Sequence, residues 1–444
     1  METARHLHAV PPPLRRTAAS RAVQAAWAGW SLGERLRTLA AIRHGIAANA
    51  AGLARAAGGG AGRPEAEVLS SEVVPLADAC RFLEREAPRL LATRRLGAHG
   101  RPAWLSRVEA EVRREPLGLV LVIAPSNYPL FLPGVQTLQA LAAGNAVLWK
   151  PGRGGSAAAE AFAAVAAGAG LPAGVLSILP EDPEAARRAI AAGVDKVLLT
   201  GSAATGRAVL AELAQRLVPA TMELSGCDAL FVLPGADLDR IARAVRFGLT
   251  LNGGATCIAP RRVFVPRALA RELEERIGVP PGPLMITPVS DLDEALDAAA
   301  LLPYALGASI FGPEEAAVAL AARVRAGVVV INDLIVPTAD PRLPFGGRGE
   351  SGFGVTRGAE GLLELTVTKV VAVRRGRRLF HLEAPHPGDA ELFRAYLNLT
   401  HAGGLKARLR GAVDLARALT RRGIGRSIER NTGRNTGRDI GRKS

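Results

Sequence analysis

The chain has 444 residues, is 48% hydrophobic and carries a formal net charge of +15, which allows two or three domains and excludes wholesale disorder. The charge is unevenly placed: residues 374–444 hold 17 basic and 6 acidic residues, leaving a net of only +4 over the first 373. Three cysteines without a CxxC pair, and seven histidines without an HExxH cluster, exclude a disulfide scaffold and give no metal-site signature.

In chain order, METARHLHAVPPPLRR lacks the apolar stretch of a secretory signal. Ala-rich helices are predicted over 18–60, closed by GGGAG, and a second helical stretch over 66–94. LSRVEAEVRRE at 105–115 alternates apolar and charged residues, an edge or antiparallel strand pattern. Short apolar runs follow at 117–124, 145–150, 174–179, 195–200 and 229–233, with helices between them, as in a parallel sheet covered on both faces. Runs at 261–265, 307–311 and 327–333 predict a second α/β unit, and 363–375 alternates in a way that can pair with 105–115. Two amphipathic helices are expected beyond Arg378, and the apolar-poor repeat over 423–444 is read as a disordered, solvated basic tail. No apolar run approaches the roughly 18 residues of a membrane span. A reducing, cytoplasmic setting is expected, with no membrane association.

Four places carry residue types that chemistry needs. The 117–124 strand runs into PSNYPLFLPG, where Pro125 and Pro129 stiffen a loop at the carboxyl end of a buried strand. Asn127 there is either a fixed hydrogen-bond donor or an Asx-turn asparagine. DKVLLTGSAATGRAVL turns at Gly201 and opens a helix near Ser202–Gly206; its free N–H groups suit a pyrophosphate, and equally an ordinary Ser-capped turn. Glu223, in the apolar stretch MELSGCDALFVL, reads as a general base of raised pKa or as a paired acid. Cys257 lies in the Gly-rich LNGGATCIAPRR just before a strand, placed to be a nucleophile or to fill space.

Taken in order, the N-x-P loop, GNAVLWKP, TGS-x3-G, ELSG, N-x-G-x2-C and PFGGRGESGFG resemble the aldehyde dehydrogenase superfamily over about residues 20–375, in a texture similar to its bacterial aldehyde dehydrogenase-like proteins. The resemblance implies an α/β fold: a Rossmann-like NAD(P)-binding domain over 1–104 and 117–224, and a smaller α/β catalytic domain over 225–361. Bridging strands at 105–116 and 362–378 would join a homodimer, followed by a helical extension over 379–422. It implies Cys257 as the nucleophile that attacks an aldehyde, Asn127 and the Cys257 N–H as the oxyanion hole, and Glu223 as the activator of the hydrolytic water. NAD or NADP would accept the hydride. On the cofactor side it implies Lys150 at the adenosine ribose, Thr200, Gly201, Ser202 and Gly206 at the pyrophosphate turn, and Pro125 and Ser126 in the adjoining loop. Pro344 and Phe345 would line the substrate channel. No metal and no nucleic-acid partner are expected.

Two departures qualify what the resemblance implies. The fourth residue of the KPGR run is Arg153, where the family often has a glutamate that repels a 2′-phosphate; this tilts the cofactor towards NADP. The family's E-x-F-G-P motif is reduced to PGP at 281–283, with Val279 at the Glu position, and only 47 residues separate Cys257 from Tyr304. A shortened catalytic domain and a weakened hold on the nicotinamide are therefore expected. A degenerate homologue that binds nucleotide or a partner with little turnover is the alternative.

Overall fold

A computed structural model describes residues 12–58, 62–375 and 379–422. The larger of its two units comprises the chain up to Arg101 together with Glu109–Val373, and it is built on two sheets. In the first, five strands run parallel in the order Ala220–Glu223, Lys196–Thr200, Leu119–Ile123, Ala146–Lys150, Leu176–Ile178. Gly352–Phe353 adds an antiparallel edge, with Gly352 opposite Glu223. The alternation of a buried strand is visible here: Leu119, Leu121 and Ile123 join one apolar cluster while Val120 and Val122 join the other. Helices on both faces cover it, as continuous apolar strands require.

The second sheet is wholly parallel, in the order Met285–Val289, Pro260–Pro266, Asp228–Val232, Gly307–Phe311, Val328–Ile331. Leu230 and Val232 face one cluster, Ala229 and Phe231 the other. The short span after Cys257 still holds two strands and two helices: Pro260–Pro266, Arg267–Ile277, Met285–Val289 and Leu292–Ala300. The sheet is continuous despite the few residues available.

The two alternating segments are neighbours, Val108–Pro116 beside Thr366–Arg374, with Arg94–Leu96 on the outer side of Val108–Pro116. The smaller unit, Pro102–Val108 with the chain from Arg374, contains the helices Asp389–His401 and Leu405–Arg421. These pack on each other, tied by Arg422–Asp389 at 3.1 Å and Arg421–Glu391 at 3.3 Å. The segment 423–444, expected to be disordered, lies outside the described residues.

Candidate active site

The site forms where the carboxyl ends of the first sheet meet the loop that precedes Pro260–Pro266. Strand Leu119–Ile123 continues into Pro125, Ser126 and Asn127. The Asn127 amide donates to the Ala255 carbonyl at 2.7 Å, and Asn252 donates from Nδ2 to the Asn127 carbonyl at 2.6 Å. The Tyr128 and Thr256 hydroxyls lie 2.8 Å apart. Three contacts thus clasp the Asn127 loop to the segment before Cys257, two of them at Ala255 and Thr256 and one at Asn252. In this state one of the two Asn127 amide hydrogens is committed to Ala255. Asn252 and Gly253 have φ of 55° and 59°, left-handed backbone that asparagine and glycine tolerate best.

A buried ion pair that the sequence did not mark holds this clasp from behind. Glu72 is fully buried within the π-helical turn Leu69–Val73. It accepts from the Leu130 and Phe131 N–H groups at 2.8 and 3.2 Å and from Arg63 at 2.5 Å. Those N–H groups open the buried helix Phe131–Ala143, where a carboxylate also meets the favourable end of the dipole. Arg63 also pairs with Glu67, which accepts from the Asn252 N–H at 3.1 Å. One network therefore fixes both loops of the site. Burial raises the Glu72 pKa; the backbone donors and Arg63 oppose the shift.

Glu223 ends its strand and is buried. Its Oε2 accepts from the Thr356 hydroxyl at 3.0 Å, while Oε1 has no partner among the described residues. Facing it is Arg357, buried at a φ of 61° and stacked 4.3 Å from the Phe345 ring and 5.6 Å from that of Phe131. Its guanidinium donates to the Thr338 carbonyl at 2.5 Å, and its Nε has no partner among the described residues. Burial raises the Glu223 pKa and Arg357 opposes it. The Cys257 thiol is pushed up to about 12, by burial first and then by the nearby Glu223 and Asp228 charges, with Arg357 pulling the other way. Nucleophile candidate, carboxylate and guanidinium thus share one electrostatic environment. Phe345 is buried and exchanges backbone hydrogen bonds with Thr356, whereas Pro344 is exposed.

On the other side of the first sheet's carboxyl edge, the Ala124 N–H donates to the Lys150 carbonyl at 2.9 Å, and a Cβ on Gly152 would stand 2.3 Å from the Pro125 oxygen. Pro125, Ser126 and Lys150 are therefore brought together, and Gly152 is required by that approach. Lys150 is largely buried and has no ion pair among the described residues; burial lowers its pKa. Arg153 is exposed and likewise unpaired among them. Glu181 accepts from the Gly154 and Ser156 N–H groups at 2.8 Å, which holds the turn after Arg153.

Three of the expected cofactor residues have structural duties as well. Thr200 accepts from the Gln136 amide at 3.1 Å. Ser202 caps the helix Ala203–Ala214 by accepting from the Thr205 N–H. Gly206 has Leu224 against it, where a Cβ would stand 2.9 Å from the leucine methyls. Gly201 stays open, with its N–H on the Glu223 carbonyl. Among the described residues no group of three or more His, Cys, Asp or Glu side chains is placed to hold a metal, and no helix is long and apolar enough to cross a membrane.

The aldehyde dehydrogenase family model matches residues 15–278 and 282–371. This chain belongs to the aldehyde dehydrogenase family. The match breaks at 279–281, beside Val279 and the reduced PGP. A 4,4'-diapolycopene aldehyde oxidase of Methylomonas sp is 28% identical over 419 residues, 78% of this chain and 79% of that protein. A protein provisionally named succinate-semialdehyde dehydrogenase (NADP+) 2 of Mycobacterium ulcerans (strain Agy99) is 28% identical over 448 residues, 83% and 85% of the two chains. A crystal structure of a provisionally named aldehyde dehydrogenase from Burkholderia cenocepacia is 29% identical with a TM-score of 0.75, covering 82% of this chain and 92% of that one. The α/β fold is that of an aldehyde dehydrogenase.

Proposed function

We propose that this aldehyde dehydrogenase oxidises an aldehyde to a carboxylic acid through a covalent adduct on Cys257. The observation that carries this is that the Asn127 loop is bonded to Ala255 and Thr256, next to Cys257, while Glu223, from a third stretch of chain, acts electrostatically on the Cys257 thiol. The Cys257 thiol loses its proton to solvent as its sulfur attacks the carbonyl carbon, and the Glu223 carboxylate keeps an oxygen free for the later hydrolytic step. The resulting alkoxide meets the remaining Asn127 amide hydrogen and the Cys257 N–H. Such donors are worth about 3–4 kcal/mol each where charge develops. Bound NAD(P)+ supplies the hydride acceptor, and Cys257 is left as a thioester. Glu223 then takes a proton from the attacking water, the thiolate leaves and the acid departs.

The donor set suits an anionic dinucleotide. Lys150, Arg153 and the N-terminus of Ala203–Ala214 are all cationic or N–H donors, and Gly201 leaves room at the turn. The exposed Arg153, without an ion pair among the described residues, can meet a 2′-phosphate, which favours NADP. A homodimer joined along Val108–Pro116 and Thr366–Arg374 is part of the same reading, as is cytoplasmic residence.

One observation favours a second reading, in which nucleotide binds and turnover is small: Val279, at the position of the missing carboxylate, is 95% exposed. Glu223→Gln separates the two. Incubated with aldehyde and NAD(P)+, it accumulates an acyl mass on the Cys257 peptide because hydrolysis stalls. A variant that stays unmodified while the parent is also inactive would support the second reading.

A further inference from the structure

The C-terminal hairpin buries its small side chains and exposes large apolar ones. Ala395 and Gly411 are buried where its two helices meet, and a Cβ on Gly411 would stand 2.4 Å from the Leu399 nitrogen. At about 3.6 residues per turn, Leu405, Leu409 and Val413 fall on the side of Leu405–Arg421 opposite Gly411. They are 74%, 60% and 51% exposed. On the same wheel Lys406, Arg410, Arg417 and Arg421 form a stripe along one edge of this apolar face. Arg417 and Arg421 have acidic partners in Asp414 and Glu391, whereas Lys406 and Arg410 have no ion pair among the described residues. The helix holds five basic residues and one acidic, and the sequence after it, 422–444, adds seven basic and two acidic.

We propose that this face of Leu405–Arg421 docks on an anionic lipid surface. The helix lies in the plane of the interface, its three apolar side chains enter the acyl boundary, and the basic stripe meets headgroup phosphates. This replaces the expectation of no membrane association, and it needs no spanning helix. The charge selects the occupant. A second copy of the same face would bring two basic stripes together. A nucleic acid would neutralise the arginines and leave Leu405, Leu409 and Val413 in water.

Flotation of the full chain with vesicles tests this, comparing phosphatidylcholine alone with phosphatidylcholine containing phosphatidylglycerol, at low and high salt. The full chain is expected to float with the anionic vesicles only, and to be released by salt. Leu409→Gln/Val413→Gln and Lys406→Gln/Arg410→Gln change exposed positions, and each is expected to weaken flotation by roughly ten-fold or more with an unchanged circular dichroism spectrum. Equal binding to neutral vesicles, no flotation, or flotation untouched by the leucine–valine change would overturn the proposal. So would a dimer abolished by that change in the absence of lipid, or tight DNA binding without vesicle binding.

Discussion

Glu72 and Glu223 are both carboxylates sealed inside the larger unit, and they are treated in opposite ways. Glu72 has both oxygens engaged, by two backbone N–H groups and by Arg63. Glu223 has one oxygen on Thr356 and one free, and the cation facing it, Arg357, also keeps an unpartnered nitrogen. A buried polar group left without a partner costs about 1–3 kcal/mol, so a fold tolerates it where the group has other work. The completed network positions loops. The incomplete pair is available for proton transfer.

Exchanging each acid for its amide separates these roles. Glu223→Gln is expected to lower steady-state turnover by roughly 10²–10⁴-fold while leaving the folded state near its parent stability. Glu72→Gln takes from the buried Arg63 guanidinium one of its two counter-charges and leaves only Glu67, at a cost of about 3 kcal/mol, seen in urea denaturation. If Glu72→Gln leaves stability intact, or if Glu223→Gln unfolds the chain, the contrast between the two carboxylates fails.

Arg357→Met sharpens the same comparison. With the guanidinium gone, the Glu223 and Asp228 charges at Cys257 lose their opposing cation, so the thiol rises further. Alkylation of Cys257 by iodoacetamide at pH 8 is expected to slow by about ten-fold, while Arg357→Lys restores part of the rate. A solely structural arginine would lower the melting temperature without moving that rate. In the parent protein, a thiol raised to about 12 is mostly protonated at neutral pH. The alkylation rate therefore climbs by about ten-fold per pH unit with no plateau below pH 10. A plateau near pH 7 would contradict the raised thiol.

The smallest effect is expected at Arg153. Arg153→Glu removes an exposed cation and should move the NADP-to-NAD preference by about ten-fold towards NAD. Titration of both cofactors against one protein sample measures it. An unchanged ratio means that Arg153 does not reach the 2′-phosphate.

The doubly wound sheets were legible because fully buried strands read as unbroken apolar runs between helices. Met285–Val289 was not, because it is an edge strand interrupted by Pro288. Gly352–Phe353 is too short to leave a pattern. Asn127, Glu223 and Cys257 could be singled out because each sits at a strand end or in a Gly-rich loop, where a polar residue is conspicuous. Glu72, Arg63 and Arg357 were not, since their meaning lies in partners far along the chain: Glu72 meets Leu130 across 58 positions. A carboxylate in a helical stretch, or an arginine before a glycine, looks like any solvated charge until packing buries it.

Everything in the proposed chemistry depends on Cys257 as the nucleophile. Single-turnover formation of NAD(P)H across a panel of aldehydes, with enzyme in excess and Cys257→Ala alongside, tests it most directly. A burst is expected in the parent with at least one aldehyde, and none in Cys257→Ala. A burst that survives the loss of the thiol would contradict it.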